Sequence, residues 1–157
     1  MPGSLLLVED NEDDEFFMRF ALKKLALPYG LLVARDGRDA MVRLRESVAG
    51  GPGAATISLM LLDLKLPHMG GLELLAWMRT VPDGGFPPVV VLTTVEQESD
   101  LVAAARLGAV AFLQKPNRPD QLVELLRTLD AYWLSRSRPP PPLGSFRRLE
   151  SLEPVGK

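Results

Sequence analysis

Short apolar runs, each closed by a polar residue and separated from the next by a helix-length stretch, constrain the fold of this chain more than any other feature. The runs are Leu5–Val8, Leu31–Ala34, Leu59–Leu62, Val89–Leu92 and Val110–Leu113. Several are apolar without alternation, as befits strands covered by helices on both faces. Between and after them lie helix-length segments over 12–26, 37–48, 71–80, 97–107 and 119–135. The last is the clearest: Leu122, Leu125, Leu126, Leu129 and Trp133 recur at helical spacing behind a Pro119-Asp120 start. This βα alternation predicts an α/β fold around a doubly wound parallel sheet with helices on both faces.

The chain has 157 residues, 46% of them hydrophobic, which is enough for one core and leaves little for a second domain. Residues 1–137 are expected to form that domain. From 138 to 157 the prolines from Pro139 to Pro142 and the loss of periodicity predict a flexible, extended tail. A net charge of -2 offers no general attraction to nucleic acid or an anionic membrane. Without cysteine, disulfides and thiol chemistry are excluded, and His68, the single histidine, excludes a His-rich metal site. Leu5–Val8 is stopped by Glu9 and Asp10, too soon for a signal peptide or a membrane span, so a cytoplasmic domain is expected.

What closes each run carries the chemistry. The first ends in Glu9-Asp10, the third in Asp63, the fourth in Thr93-Thr94 and the fifth in Lys115-Pro116. Ligands of open α/β sheets bind outside the carboxyl ends of the strands, so three acids, a hydroxyl and a lysine should share one rim. Each residue alone is ordinary, since an acid after a strand is usually a helix cap or a solvated loop residue. Held together, Glu9, Asp10 and Asp63 would repel one another, and a hard cation such as Mg2+ would relieve that repulsion. The cation and Lys115 could then neutralise a phosphoryl group arriving on Asp63, with Thr93 bonding one of its oxygens.

In these residues the chain resembles the receiver domains of two-component response regulators, the CheY-like family. The resemblance covers about residues 4–135 and rests on LLLVEDNEDD, LMLLDLKLPHMGG, VVVLTT and LGAVAFLQKP in that order. It implies a five-stranded, flavodoxin-like sheet of order 2-1-3-4-5, with Asp63 as phosphoacceptor. It also implies that Asp10 binds Mg2+ directly, Glu9 through water, and Lys65 through its backbone carbonyl. Lys115 would pair with the phosphoryl group, with Lys115-Pro116 a cis peptide. Thr93 and Phe112 would form a switch that remodels the face made by the fourth helix, fifth strand and fifth helix.

The sequence departs from the family pattern in details. Glu9 stands where aspartate is frequent, Phe112 lacks a tyrosine's hydroxyl, and Thr94 is larger than usual beside the site. Lys65 and Val95 occupy positions that tune phosphoryl lifetime in this family. No DNA-binding module is expected after residue 135, so output should run through protein contacts. The DNEDDEFF opening, VVVLTT and Tyr132-Trp133 resemble the small regulators paired with bacterial phytochrome histidine kinases, which tend to be homodimers. Tyr132, Trp133 and Leu134, three large residues in a row, are the candidate dimer surface; the other reading has the aromatics capping the monomer core. Arg136, Arg138, Arg147 and Arg148 are a candidate partner strip or else incidental charge on the tail.

Rival functions fare less well. A haloacid-dehalogenase-type hydrolase needs a second acid two residues after its nucleophile, where this chain has Lys65. A flavodoxin-like electron carrier needs a phosphate-binding loop where Glu9 to Asp14 is acidic. A phosphorylation-independent pseudo-receiver, acting as a binding module, stays open on account of Thr94, Lys65 and Val95.

Overall fold

The computed structural model describes residues 3–82, 84–94, 97–141 and 146–149; Val95 and the tail residues 142–145 and 150–157 lie outside them. Strands β1 (Ser4–Val8), β2 (Gly30–Ala34), β3 (Ile57–Asp63), β4 (Val89–Thr93) and β5 (Ala111–Gln114) alternate with helices α1 (Glu12–Lys24), α2 (Gly37–Ala49), α3 (Gly71–Thr80), α4 (Glu98–Arg106) and α5 (Pro119–Leu129). A two-residue strand, β6 (Arg147–Arg148), follows near the end of the described chain. All pairings are parallel and the order is β2-β1-β3-β4-β5-β6. The expected 2-1-3-4-5 sheet is therefore present, with one strand added at its β5 edge.

Burial on both faces explains why the strands lack alternation. Leu5, Leu7, Leu59, Leu61, Val90 and Leu92 point into one half-core with Met18 and Leu22 of α1 and Leu122, Leu126 and Leu129 of α5. Leu6, Val8, Met60, Leu62, Val89 and Val91 point into the other, against Leu44 of α2, Leu74 and Leu75 of α3 and Ala104 of α4. Helix ends are set locally. Asn11 caps α1, its Oδ1 accepting the N–H of Asp13 at 2.8 Å, and acids in the first turn and lysines in the last complement the helix dipole.

Two expectations about the C-terminal part are corrected. The last helix was expected to run to 135, but α-helical geometry stops at Leu129 and Asp130–Leu134 form a π-helical turn. Ala131, Tyr132 (8% exposed) and Trp133 (5%) all join the monomer core, and only Leu134 of the candidate dimer surface is partly exposed. The tail is also not wholly free. Arg147 and Arg148 pair with Ala111 and Phe112, Phe146 packs on the α4 side of the sheet, and Leu149 is buried on the α5 side. Apolar residues flanking the arginine pair anchor what charge alone would leave in solvent. Among the described residues no helix is long and apolar enough to cross a membrane.

Candidate functional site

The carboxyl ends of β1, β3, β4 and β5 bring the strand-closing residues together. Carboxylate oxygens of Glu9, Asp10 and Asp63 lie within 4.8 Å of one another, a spacing that suits one shared cation. Glu9 is 1% exposed and Asp63 and Thr93 are buried, whereas Asp10 is exposed. A single ammonium serves this cluster. Lys115 Nζ donates to Glu9 Oε2, to Asp14 Oδ2 at 3.0 Å and to Asp63 Oδ2 at 3.2 Å.

The protonation of the pair follows from burial against partner charge. Burial raises Glu9 to about 7, although the hydrogen bond and charge of Lys115 pull it back. Burial alone would lower Lys115, but its bond to Glu9 and the charge of Asp63 outweigh that and hold it above the ordinary lysine value. Lys115 is thus a fixed positive charge beside Asp63. The remaining donors of the site are aimed by backbone: Lys65 N–H bonds Asp63 Oδ1 at 3.0 Å, and Lys115 N–H bonds the Thr93 carbonyl at 2.8 Å.

Close packing holds the β3–α3 loop against the site. Gly71 N–H bonds the Leu64 carbonyl at 3.1 Å, and a Cβ at Gly71 would stand 2.6 Å from the Asp63 carbonyl oxygen. Leu64, Lys65, Thr93 and Thr94 line a cleft with Asp63. His68 is exposed with φ +62°, a turn residue outside the carboxylate group.

Thr93 and Phe112 lie on adjacent strands, Val91 pairing with Phe112 and Thr93 with Gln114. Strand alternation puts both side chains on the α4 face of the sheet. No cis peptide occurs among the described residues, so Lys115-Pro116 is trans, contrary to expectation. The isomers of an X–Pro bond differ by only about 0.5–1 kcal/mol, so sequence carries little information on the choice. Of the four arginines, Arg147 and Arg148 follow one another along β6, and the Arg148 guanidinium lies 5.4 Å from the Phe112 ring centre.

Sequence reasoning missed Asp14 and Arg35. Asp14 lies in the first turn of α1, directly after the Glu9-Asp10 strand end, and that nearness in sequence could have revealed it. Arg35 pairs with Glu15 and donates to the Glu9 carbonyl at 3.4 Å, tying the end of β2 to the site. Only the three-dimensional adjacency of β1 and β2 brings it there.

The sequence matches the family described as response regulator receiver domain over residues 5–127. Response regulator Rcp1 of Synechocystis sp. is 34% identical over 133 residues, spanning 85% of this chain and 90% of that protein. A Mn2+-bound structure of Rcp1 superposes with a TM-score of 0.73 at 33% identity, covering 90% of this chain and 100% of that one. The phosphorylated cyanobacterial phytochrome response regulator RcpA gives 0.75 at 32% identity, covering 88% and 98%. For the bacteriophytochrome response regulator AtBRR the values are 0.64, 36%, 85% and 96%. A match over most of the chain, with the strand-closing residues gathered as this family requires, establishes that the protein belongs to the response regulator receiver family.

Proposed function

We propose that this receiver accepts a phosphoryl group on Asp63 from a sensor histidine kinase and signals through its α4–β5–α5 face. The observation that carries this reading is the meeting of Glu9, Asp10 and Asp63 oxygens within 4.8 Å, with Lys115 donating to Asp63. A carboxylate oxygen of Asp63 attacks phosphorus in the donor's phosphohistidine. An O–P bond forms as the P–N bond breaks, and the imidazole leaves with the electron pair and takes up a proton. Lys115, held positive, bonds the incoming phosphoryl oxygens, and the Thr93 hydroxyl bonds one of them once the group is in place. Attack of water on the acyl phosphate later returns the carboxylate and inorganic phosphate, so the chain promotes its own phosphorylation and dephosphorylation without being a turnover enzyme.

Glu9, Asp10, Asp63 and the backbone carbonyl of Lys65 are the residues we assign to Mg2+, and the all-oxygen donor set fits a hard cation. When bound, such an ion neutralises charge on the transferring group. Likeness to RcpA and AtBRR supports a phytochrome or bacteriophytochrome kinase as the donor, acting in the cytoplasm. Incubating the protein with acetyl phosphate and Mg2+ tests the assignment by intact mass. A phosphate-sized gain in the wild type and none in Asp63→Asn is the expected result. Labelling at another residue would refute the site, and no gain from acetyl phosphate or a histidine-kinase donor would favour the pseudo-receiver reading.

A further inference from the structure

The aromatic at the switch position is already engaged from outside the sheet. Phe146 stacks on Phe112, with ring centres 5.1 Å apart and planes 17° from parallel. The Arg148 guanidinium sits over the Phe112 ring, and its Nη1 donates to Gln114 Oε1 at 3.3 Å. Beyond it, Leu149 is 1% exposed among the residues packed under α5. The segment therefore straddles the β5 edge, with Phe146 on the α4 side, the strand pairing in the middle and Leu149 on the α5 side. It covers the backbone groups of an edge strand that would otherwise stand open.

We infer that Phe146–Leu149 is an internal ligand of the α4–β5–α5 face, clasping β5 while Asp63 is unmodified and released when it is phosphorylated. The inference rests on the phosphoacceptor reading above. Its physical core is that Phe112 cannot serve two positions. Thr93 and Phe112 share one face on neighbouring strands. When the Thr93 hydroxyl turns toward a phosphoryl group on Asp63, it vacates space on that face. Interiors do not tolerate such a gap, and the half-buried Phe112 ring is a large side chain on that face of the adjacent strand. As the ring turns in, the stack with Phe146 and the seat of Arg148 are lost together. Two paired residues are too short a strand to hold on the Leu149 anchor alone. The tail and the phosphoryl group thus favour opposite positions of one ring, which makes their coupling reciprocal.

Hydrogen exchange of the full chain, read by mass spectrometry, tests the release. With excess acetyl phosphate and Mg2+, exchange in the peptide holding residues 146–149 should rise at least about five-fold, the low end for coupled sites. Asp63→Asn under the same conditions should show no rise. Intact mass of the same samples separates the two readings: a phosphate-sized gain with unchanged tail exchange overturns the clasp alone, and no gain from acetyl phosphate or from a histidine-kinase donor overturns the phosphoacceptor reading and the clasp with it.

The reverse direction uses an equilibrium probe. Phe146→Ala removes the stack and leaves every strand-end residue in place. By linkage it should tighten the affinity for beryllium fluoride with Mg2+, a phosphoryl mimic, by about the same five-fold factor. A merely structural role for Phe146 would leave that affinity unchanged or weaken it, and either result refutes the inference.

Discussion

Replacing Asp63 with asparagine should make the metal-free protein more stable, and the expected size follows from the geometry of the site. The substitution removes one charge from a cluster whose acids share a single lysine, and an asparagine oxygen can still accept the Lys65 N–H. Lys115 lies 3.2 Å from Asp63, an attraction of about 5 kcal/mol at an effective dielectric of roughly 20. Against this, Glu9 and Asp10, with oxygens within 4.8 Å, each repel Asp63 by about 3.5 kcal/mol on the same scale. Asp10 is exposed, so solvent screens much of its share. The variant also escapes the desolvation of a buried carboxylate, an effective cost of several kcal/mol per ion.

The balance favours the asparagine variant by about 1–2 kcal/mol, or roughly 2–8 °C in Tm for a chain of this size. Calorimetry in EDTA at pH 8, above the value near 7 to which burial raises Glu9, is the measurement. Saturating Mg2+ should then reverse the order. A ligand at a hundred times its Kd stabilises the folded state by about 2.7 kcal/mol, and the variant, lacking one carboxylate, should gain less. An asparagine variant that melts below the wild type in EDTA would refute the claim that uncompensated charge dominates this site.

Other outcomes follow from single contacts. Gly71→Ala places a Cβ 2.6 Å from the Asp63 carbonyl oxygen and 2.8 Å from Leu64 Cα, so it should cost about 1–3 kcal/mol in urea unfolding and slow labelling by acetyl phosphate. Trp133→Ala should lower stability by about 3–5 kcal/mol while leaving the light-scattering mass unchanged; a folded variant of smaller mass would restore the dimer reading. Tyr29→Phe loses the hydrogen bond from the Tyr29 hydroxyl to Asp130 Oδ1 at 2.9 Å, worth about 0.5–1 kcal/mol at this half-buried position. Burial and Asp130 raise Tyr29 to about 12, so the wild-type advantage is complete below pH 10 and disappears as pH climbs through about 12, which urea midpoints across that range would check.

The strand ends were legible because two physical rules act on them at once. A strand covered on both faces must be apolar to its last internal residue, and a ligand site must sit where that run stops. Glu9, Asp63, Thr93 and Lys115 meet both conditions, so their positions in sequence and in space agree. Where only one rule acted, the reading fell short. Arg147-Arg148 has no apolar signature, and its strand depends on Phe146 and Leu149 reaching opposite half-cores across the chain. Helical spacing marks Trp133 as inward-facing but gives no sign that the turn will widen and bury Ala131, Tyr132 and Trp133 together. Arg35 reaches Glu9 only because β2 lies beside β1, a pairing between distant segments.

The π-helical turn at Asp130–Leu134 amounts to an insertion that the helix keeps. Ser135 N–H reaches back to the Asp130 carbonyl at 2.7 Å, and Arg138 N–H to that of Ala131 at 3.0 Å. Removing one residue there would restore an ordinary helix while the chain beyond keeps its direction, because the widened turn absorbs its surplus residue locally. Residues after the deletion would keep their faces, and the chain emerging at Ser135 would start toward the same side of the molecule. One surplus residue is thus stored in the turn without changing the heading from which the tail begins its path to β5. Relatives that differ by a single residue in this turn would keep the same heading, so length is free to vary there while the tail's path holds.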